Sequence, residues 1–166
     1  MAYEVTKQVK GGAGGDALHM VGFTVANEEF CLDILKVQEI IRMVDITVMP
    51  NAPDYVEGVI NLRGKIIPII DFCKRLHLTP SENITEQNRR IVVVALGKVT
   101  VGLVVDKVSH VMKLTADEIS PTPDVIKGFD SECLMGVGRV GDRLLILLDV
   151  EKLFRQDEFD AMADAA

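Results

Sequence analysis

Residues 58–71 of the chain read GVINLRGKIIPIID, two apolar runs on either side of a short polar break. The break, residues 61–65, contains Gly64, and glycine readily takes the positive φ that a tight β-turn requires. The stretch therefore predicts a β-hairpin with Arg63 near its tip and pointing outwards. Proline has no backbone N–H, so Pro68 also predicts an edge or a bulge in the second strand.

The same pattern returns later in the chain, where residues 136–149 read GVGRVGDRLLILLD, at an offset of 78 residues. Two further blocks repeat at offsets of 71 and 70, namely residues 30–37 on 101–108 and residues 53–58 on 123–128. The offset rises from 70 to 78, so the second copy carries eight extra residues, within about 129–136. Together the three blocks indicate an internal duplication.

The duplication and the short alternating apolar runs predict a mostly β protein, built of two small β-barrels packed on each other. The repeat halves are about 20–77 and 91–155, within a folded domain at 18–156. Neither half can bury enough apolar surface to be stable alone. A glycine-rich stretch makes 1–17 a flexible N-terminal tail. Residues 157–166 are expected to form an acidic C-terminal tail that adds little to the core.

Two kinds of residue recur in the copies and predict local structure. Gly58 and Gly128 follow similar Pro-Asp segments, and we expect them in turns or where another stretch of backbone comes close. Asp71 and Asp149 each precede a short run that can form one or two helical turns, and we expect each carboxylate to cap the helix N-terminus.

The composition of the 166 residues restricts the class of partner. Hydrophobic residues make up 48% and aromatic residues 5%, with no Trp, so the core must be largely aliphatic. The net charge of −7 argues against nucleic acid and anionic membranes, because both repel a negative protein. Three widely spaced cysteines, no apolar run of about 18 residues and no signal peptide predict a cytoplasmic protein without direct membrane insertion.

The sequence offers no arrangement that is typical of an enzyme. His19, His77 and His110 have no metal-ligand spacing to one another or to a cysteine. There is no phosphate-binding loop and no nucleophile in an elbow motif. Asp71 and Asp149 are better explained as two helix caps than as an acidic pair. We therefore expect no catalytic residue, no metal and no cofactor.

Polar positions that differ between the two copies are candidates for function, because the barrel itself does not require them. Glu39 aligns with His110, and Arg63 aligns with Gly141. Composition alone favours solvated side chains for Glu39 and Arg63. Arginine beside an apolar groove is also a common interface anchor, so both interpretations stay open on the residues alone.

Several segments resemble the CheW family of bacterial chemotaxis adaptors, and together they span about 18–156. They are, in chain order, VQEI at 37–40, PNAP at 50–53, the stretch 58–71, VGLVVD at 101–106 and RLLILL at 143–148. The Asn-Leu-Arg-Gly segment at 61–64, with its flanks, is the most specific of these. His110 departs from the acidic residue that relatives often carry there, so no role is transferred to it.

The resemblance implies two SH3-like, five-stranded barrels and a non-catalytic scaffold. Proteins of this family couple the cytoplasmic tip of methyl-accepting chemotaxis receptors to the regulatory domain of the histidine kinase CheA, in signalling arrays at the inner membrane. The receptor tip helix is expected in the groove between the barrels. The positions that match receptor-contacting residues of the family are Val37, Glu39, Gly58, Arg63 and Val108.

Two other functions stay open on the residues alone. A small-ligand-sensing β-barrel would need a roomy pocket with converging polar groups, whereas the aliphatic strands predict a filled interior. An RNA-binding SH3-like module would need a basic face with aromatic residues for stacking. Two Tyr, six Phe and a negative net charge do not favour that module.

We predict that the purified protein contains no stoichiometric metal or nucleotide and hydrolyses no ATP. The reason is that the sequence has no nucleophile, ligand set or phosphate-binding loop in a recognisable arrangement. Elemental analysis and an ATPase assay on repurified protein check this. One metal ion per chain, or hydrolysis that persists through repurification, would contradict it.

Overall fold

The computed structural model describes residues 17–121, 133–154, 157, 158 and 160. The predicted tail up to residue 16 and the block at 123–128, with Gly128, lie outside the described residues. The strands are β1 (Leu18–Val25), β2 (Glu28–Asp33), β3 (Val37–Arg42), β4 (Val56–Leu62), β5 (Lys65–Asp71), β6 (Arg90–Leu96), β7 (Val99–Val105), β8 (Lys107–Leu114), β9 (Ile119–Ser120), β10 (Leu134–Val140) and β11 (Arg143–Leu148). A short α-helix, α1 (Phe72–Arg75), follows β5, and 3-10 turns lie at Ile34–Lys36, Glu86–Asn88, Ala116–Glu118 and Val150–Lys152.

The strands form two sheets, and each sheet draws on both halves of the sequence. The six-stranded sheet has the order β8-β1-β2-β11-β10-β9, and the five-stranded sheet has the order β3-β6-β7-β5-β4. The two joining pairs, β2 with β11 and β5 with β7, are parallel. The mostly β, two-barrel fold class is confirmed. Neither sheet, however, is made by one repeat half, and one of them has six strands rather than five.

Two side-chain contacts mark the equivalence of the joining pairs. Arg143 Nε donates to Glu29 Oε2 at 3.1 Å, between β11 and β2. Lys65 Nζ donates to Thr100 Oγ1 at 3.0 Å, between β5 and β7. The first members of these contacts are related by the offset of 78, and the second members by the offset of 71. The repeat therefore relates one complete barrel to the other. Each barrel contains two strands that come from the opposite half of the sequence.

Among the described residues, the core is divided into three clusters of apolar side chains. One cluster lies within the six-stranded sheet, and it consists of Leu18, Met20, Cys31, Met112, Leu114, Leu145 and Leu147. A second lies within the five-stranded sheet, and it consists of Ile60, Ile67, Ile69, Ile91, Val93 and Val104. The third and largest takes residues from both sheets, and we call it the shared core. In β6, Ile91 points into its own barrel while Val92 belongs to the shared core, as strand alternation requires.

Three phenylalanines join the two barrels inside the shared core. Phe23 and Phe30 lie in the six-stranded sheet, and Phe72 begins α1 after the five-stranded sheet. The Phe72 ring meets the other two edge-on, with centroid distances of 5.4 and 5.2 Å. Such edge-to-face pairs add stabilisation beyond the buried area. All three side chains are fully buried, so the barrels are packed on each other rather than loosely tethered.

The two predicted helix caps are confirmed. Asp71 Oδ1 accepts a hydrogen bond from the Lys74 backbone N–H at 3.1 Å, at the start of α1. Asp149 Oδ1 accepts from the Glu151 N–H, also at 3.1 Å, at the start of a 3-10 turn. Burial raises the pKa of Asp149 above its usual value. Both carboxylates therefore perform a local structural role at equivalent places.

Pro68, which has no backbone N–H to donate, lies in an inner strand of the sheet and not at its edge. β5 lies between β4 and β7, but its pairing with β7 begins only at Ile69. On the β4 side Pro68 faces Val59, whose backbone N–H and C=O both bond to Thr47. No ladder hydrogen bond is therefore lost at the proline. The predicted edge strand is therefore not found, and only the part of β5 before Ile69 lacks a partner on the β7 side.

The predicted C-terminal tail contacts the domain at Glu158. Tyr55 Oη donates to Glu158 Oε2 at 2.6 Å, and Arg75 Nη2 lies 3.5 Å from the other carboxylate oxygen. Arg75 also lies over the rings of Tyr55 and Phe154, at 5.4 and 5.3 Å from their centroids. The side chains of Arg75 and Glu158 are largely buried. At least this part of the tail is thus packed on the domain, which was not expected from its acidic composition.

We predict that residues 1–78 and residues 79–166, expressed separately, do not fold. The first fragment has β1 and β2 but lacks β8 and β11, the strands that flank them. The second has β6 and β7 but lacks β3 and β5, which flank that pair. Circular dichroism with thermal melting checks this, with the full-length chain as the control. Mixing the fragments is expected to restore a cooperative melt. A cooperative melt from either fragment alone would contradict the exchange of strands.

Candidate functional site

The chain passes between the sheets at two crossovers, and a predicted site residue follows each. After β2, the turn Ile34–Lys36 leads into β3 of the other sheet, which begins at Val37. After β7, Asp106 leads into β8 of the other sheet, where Val108 is the second residue. Val37 and Val108 are both half-buried and pack against the shared core. The two valines thus occupy equivalent positions on the rim of the shared core.

Glu39 and Arg63 are in direct contact. Arg63 Nη2 donates to Glu39 Oε1 at 2.8 Å, and Nη1 donates to the other carboxylate oxygen, so the pair is bidentate. The pair connects β3, one outer strand of the five-stranded sheet, with the turn after β4, the other outer strand. The Arg63 side chain is 74% exposed and that of Glu39 is 23% exposed. The hydrogen bonds to Glu39, and then its charge, raise the pKa of Arg63.

The turn that carries Arg63 confirms the predicted hairpin and adds a backbone feature. Arg63 and Gly64 form its two central residues, with φ values of 54° and 84°, which are typical of a type I′ turn. Asn61 Oδ1 accepts a hydrogen bond from the Gly64 N–H at 2.8 Å. In the second hairpin the matching residue is Gly141, with a φ of 61°. Arginine therefore occupies a left-handed position that glycine would fill with less strain.

Gly58 is buried and lies against a neighbouring segment of backbone. A Cβ on Gly58, whose φ is 151°, would overlap the carbonyl oxygen of Thr47. Thr47 and Val59 exchange two backbone hydrogen bonds of 2.9 Å, which bring the two segments together. At the equivalent Gly136, an added Cβ would lie 2.6 Å from the carbonyl oxygen of Ser120. The prediction of a close-approach glycine is confirmed for Gly58.

The five predicted site residues differ in how they can take part in binding. Glu39 and Arg63 form one ion pair, and Val37 and Val108 lie on the rim of the shared core. Gly58 is enclosed, so it can act only by setting the path of the segment around Thr47. Sequence reasoning missed the left-handed backbone of Arg63, although its alignment with Gly141 was the available signal. It also missed Leu35, a solvent-exposed neighbour of Val37 for which no pattern gave a signal.

The thiols of Cys31 and Cys73 are held in their protonated form. Burial raises the pKa of Cys31 to about 12, and burial, then the charges of Asp71 and Asp106, raise the pKa of Cys73. Both thiols are therefore protonated at neutral pH, which is the unreactive form. Within the described ranges, no group of three or more His, Cys, Asp or Glu is placed to hold a metal ion.

The interiors of the two barrels bear on the alternative of a small-ligand sensor. Each interior is filled by its own cluster of buried aliphatic and sulfur-containing side chains. A ligand site needs space and converging polar groups, whereas the side chains of these clusters are apolar. The small-ligand alternative is therefore not favoured. No helix in the described part of the chain is long and apolar enough to cross a membrane.

The structure is a two-barrel binding module. Its two small barrels have filled interiors and pack through the shared core, and the valine rim of that core is partly accessible. The chain belongs to the CheW-like domain family, whose model matches residues 19–158. The match covers both sheets except Leu18, the first residue of β1.

Named relatives and a solved structure agree with this assignment. The chain is 42% identical to the chemotaxis protein CheW of Klebsiella aerogenes, over 87% of this chain and 86% of the relative. It is 38% identical to the CheW of Rhizobium meliloti, over 86% and 90% of the two chains. The crystal structure of the scaffolding protein TtCheW from Thermoanaerobacter tengcongensis is similar, with a TM-score of 0.77 and 33% identity, covering 87% of this chain and 92% of that one.

We predict that Gly58→Ala lowers the free energy of unfolding by about 3 kcal/mol or more, because the new methyl group overlaps the Thr47 backbone. Gly97→Ala is the matched control. Its φ is also positive, at 64°, but a Cβ there has no neighbour within 4 Å, so a loss of only about 1 kcal/mol is expected. Urea titrations measure both values, and equal losses would contradict the close-approach explanation.

Proposed function

We propose that this chain is a non-catalytic scaffold that couples methyl-accepting chemotaxis receptors to the histidine kinase CheA in signalling arrays. Membership of the CheW-like domain family and similarity to a scaffolding protein support the proposal. In this function the chain is cytoplasmic and is held at the inner membrane by the receptors. Its two partners are the cytoplasmic tip of the receptor and the regulatory domain of the kinase.

The observation that carries the proposal is the use of arginine at the tip of the first hairpin. The equivalent position of the second hairpin is Gly141, which has a similar φ of 61° and no side chain, so the fold does not need an arginine side chain there. Arg63 is held in the less favourable backbone conformation and is mostly exposed. Exposed ion pairs contribute little to stability, so the pair with Glu39 does not explain why arginine is present. A role in binding does.

The site can recognise a helix by combining apolar and polar contacts. Val37 and Val108 offer apolar surface from both barrels, on either side of the shared core. A helix laid between them can bury its apolar face against both valines. Arg63 uses two of its five N–H donors on Glu39 and keeps the others for an acceptor on the receptor. Gly58 contributes by allowing the close backbone approach at Thr47.

Glu39 keeps the charge of the site balanced and orients the arginine. A bidentate pair fixes the plane of the guanidinium group, which lowers the entropy that must be lost when a third group binds. The receptor can then meet an arginine that is already oriented, with the local charge nearly neutral. On this proposal Glu39 is part of the receptor site through Arg63 as well as through any contact of its own.

We predict that Arg63→Glu weakens receptor binding by about thirtyfold or more, because an anchoring arginine is replaced by a charge that repels Glu39. Arg63→Gly copies the second hairpin and is expected to weaken receptor binding too, while its melting temperature equals or exceeds that of the wild type. Binding of the kinase regulatory domain is expected to be unchanged in both variants.

The measurement is a titration with a receptor-tip fragment, a second with the kinase regulatory domain, and a thermal melt. Arg143→Glu is the matched control, because Arg143 forms a similar bidentate pair with Glu29 on the other sheet. Wild-type receptor affinity in a folded Arg63→Glu protein would remove Arg63 from the site. A collapsed melt for Arg63→Gly would instead make the arginine structural.

A further inference from the structure

Leu35 is a large apolar side chain that the fold leaves in solvent. It is 81% exposed, more than any other large apolar residue in the described part of the chain. It lies in the turn Ile34–Lys36, at the crossover between β2 and β3. The next strand begins at Val37, which packs against the rim of the shared core. Leu35 is therefore an exposed apolar residue directly beside the proposed receptor site.

The backbone around Leu35 is held on both sides. The Asp33 carboxylate accepts a hydrogen bond from the Leu35 N–H at 2.9 Å. The Val37 N–H donates to the Ile34 carbonyl oxygen, which closes the turn, and Lys36 Nζ forms an ion pair with Glu151. The side chain thus projects from a fixed turn rather than from a flexible loop. Contact residues on fixed backbone lose less entropy on binding.

The fold itself does not require an apolar residue at this place. At the repeat offset of 71, Leu35 aligns with Asp106 at the second crossover. The Asp106 carboxylate accepts a hydrogen bond from the Ala26 N–H at 2.9 Å, so a polar residue serves that crossover well. An exposed leucine gains almost none of the stabilisation that burial provides. Its side chain is therefore apolar surface that is available for burial on binding.

We propose that Leu35 is a further anchor of the receptor site, which inserts against the apolar face of the receptor tip helix next to Val37. The inference rests on the proposed function and names a contact that extends the same site. Residues of a 3-10 turn rise by about 2 Å each, so Leu35 and Val37 are close enough to meet neighbouring positions on one helix. Helical side chains three and four apart are themselves separated by about 5–6 Å.

The test compares Leu35→Ala and Leu35→Asp with the wild type in the full-length chain. Titration with a soluble fragment of a methyl-accepting receptor tip is expected to show a loss of about tenfold for Leu35→Ala and a larger loss for Leu35→Asp. Titration with the kinase regulatory domain and thermal melts are expected to be unchanged. Leu144→Ala is the matched control, since Leu144 is 59% exposed in β11 of the six-stranded sheet, outside both crossover segments, and it is expected to bind like the wild type.

Parallel titration of Arg63→Glu separates the two proposals. If Leu35→Ala binds the receptor fragment within twofold of the wild type while Arg63→Glu does not, the anchor is overturned and the proposed function stands. If neither substitution changes receptor affinity, the receptor site itself is wrong. If Leu35→Ala lowers affinity for the kinase domain alone, the occupant is the kinase and the inference is overturned. An equal loss in Leu144→Ala would also overturn it.

Discussion

Packing of both sheets against one shared core is the constraint on which the rest of the molecule depends. Each sheet buries its inner face in its own barrel, and its outer face needs a second partner. The other barrel supplies that partner, and Phe72 packs across the boundary against Phe23 and Phe30. The chain must therefore pass between the sheets, and its two crossovers place Val37 and Val108 at the rim of the shared core.

The duplicated fold leaves room for function where the copies diverge. The first central residue of both hairpin turns has a similar positive φ, yet this residue is Arg63 in one turn and Gly141 in the other. The crossovers have the same place in the topology, yet one exposes Leu35 and the other uses Asp106 for a backbone hydrogen bond. Both departures fall in the first copy of the repeat. The first copy thus carries both of these side chains, Arg63 and Leu35.

Local features of the fold were predictable from the sequence, and long-range features were not. Asp71, Asp149 and Gly64 act through neighbours in the chain, so the local sequence was enough to assign their roles, and the repeat supported the two aspartates. The exchange of strands could not be predicted from the sequence, because a strand of alternating apolar residues can pair equally well with a strand from either half. The contact of Glu158 with Tyr55 joins residues far apart in sequence, and composition alone suggested a solvated tail. The resemblance marked Glu39 and Arg63 as separate site positions, and their bidentate ion pair is seen only in the structure.

The exchange of strands has a mechanical consequence. Two barrels joined by one linker could rotate independently, so a displacement of one barrel would not be transmitted to the other. Here each barrel contains strands from both halves of the chain, and interlocked aromatic rings fill the boundary. A force on either barrel is therefore transmitted to the other barrel through backbone hydrogen bonds and packed side chains. A small displacement at one face of the molecule can thus reach a partner bound at another face, because no flexible linker between the barrels absorbs it.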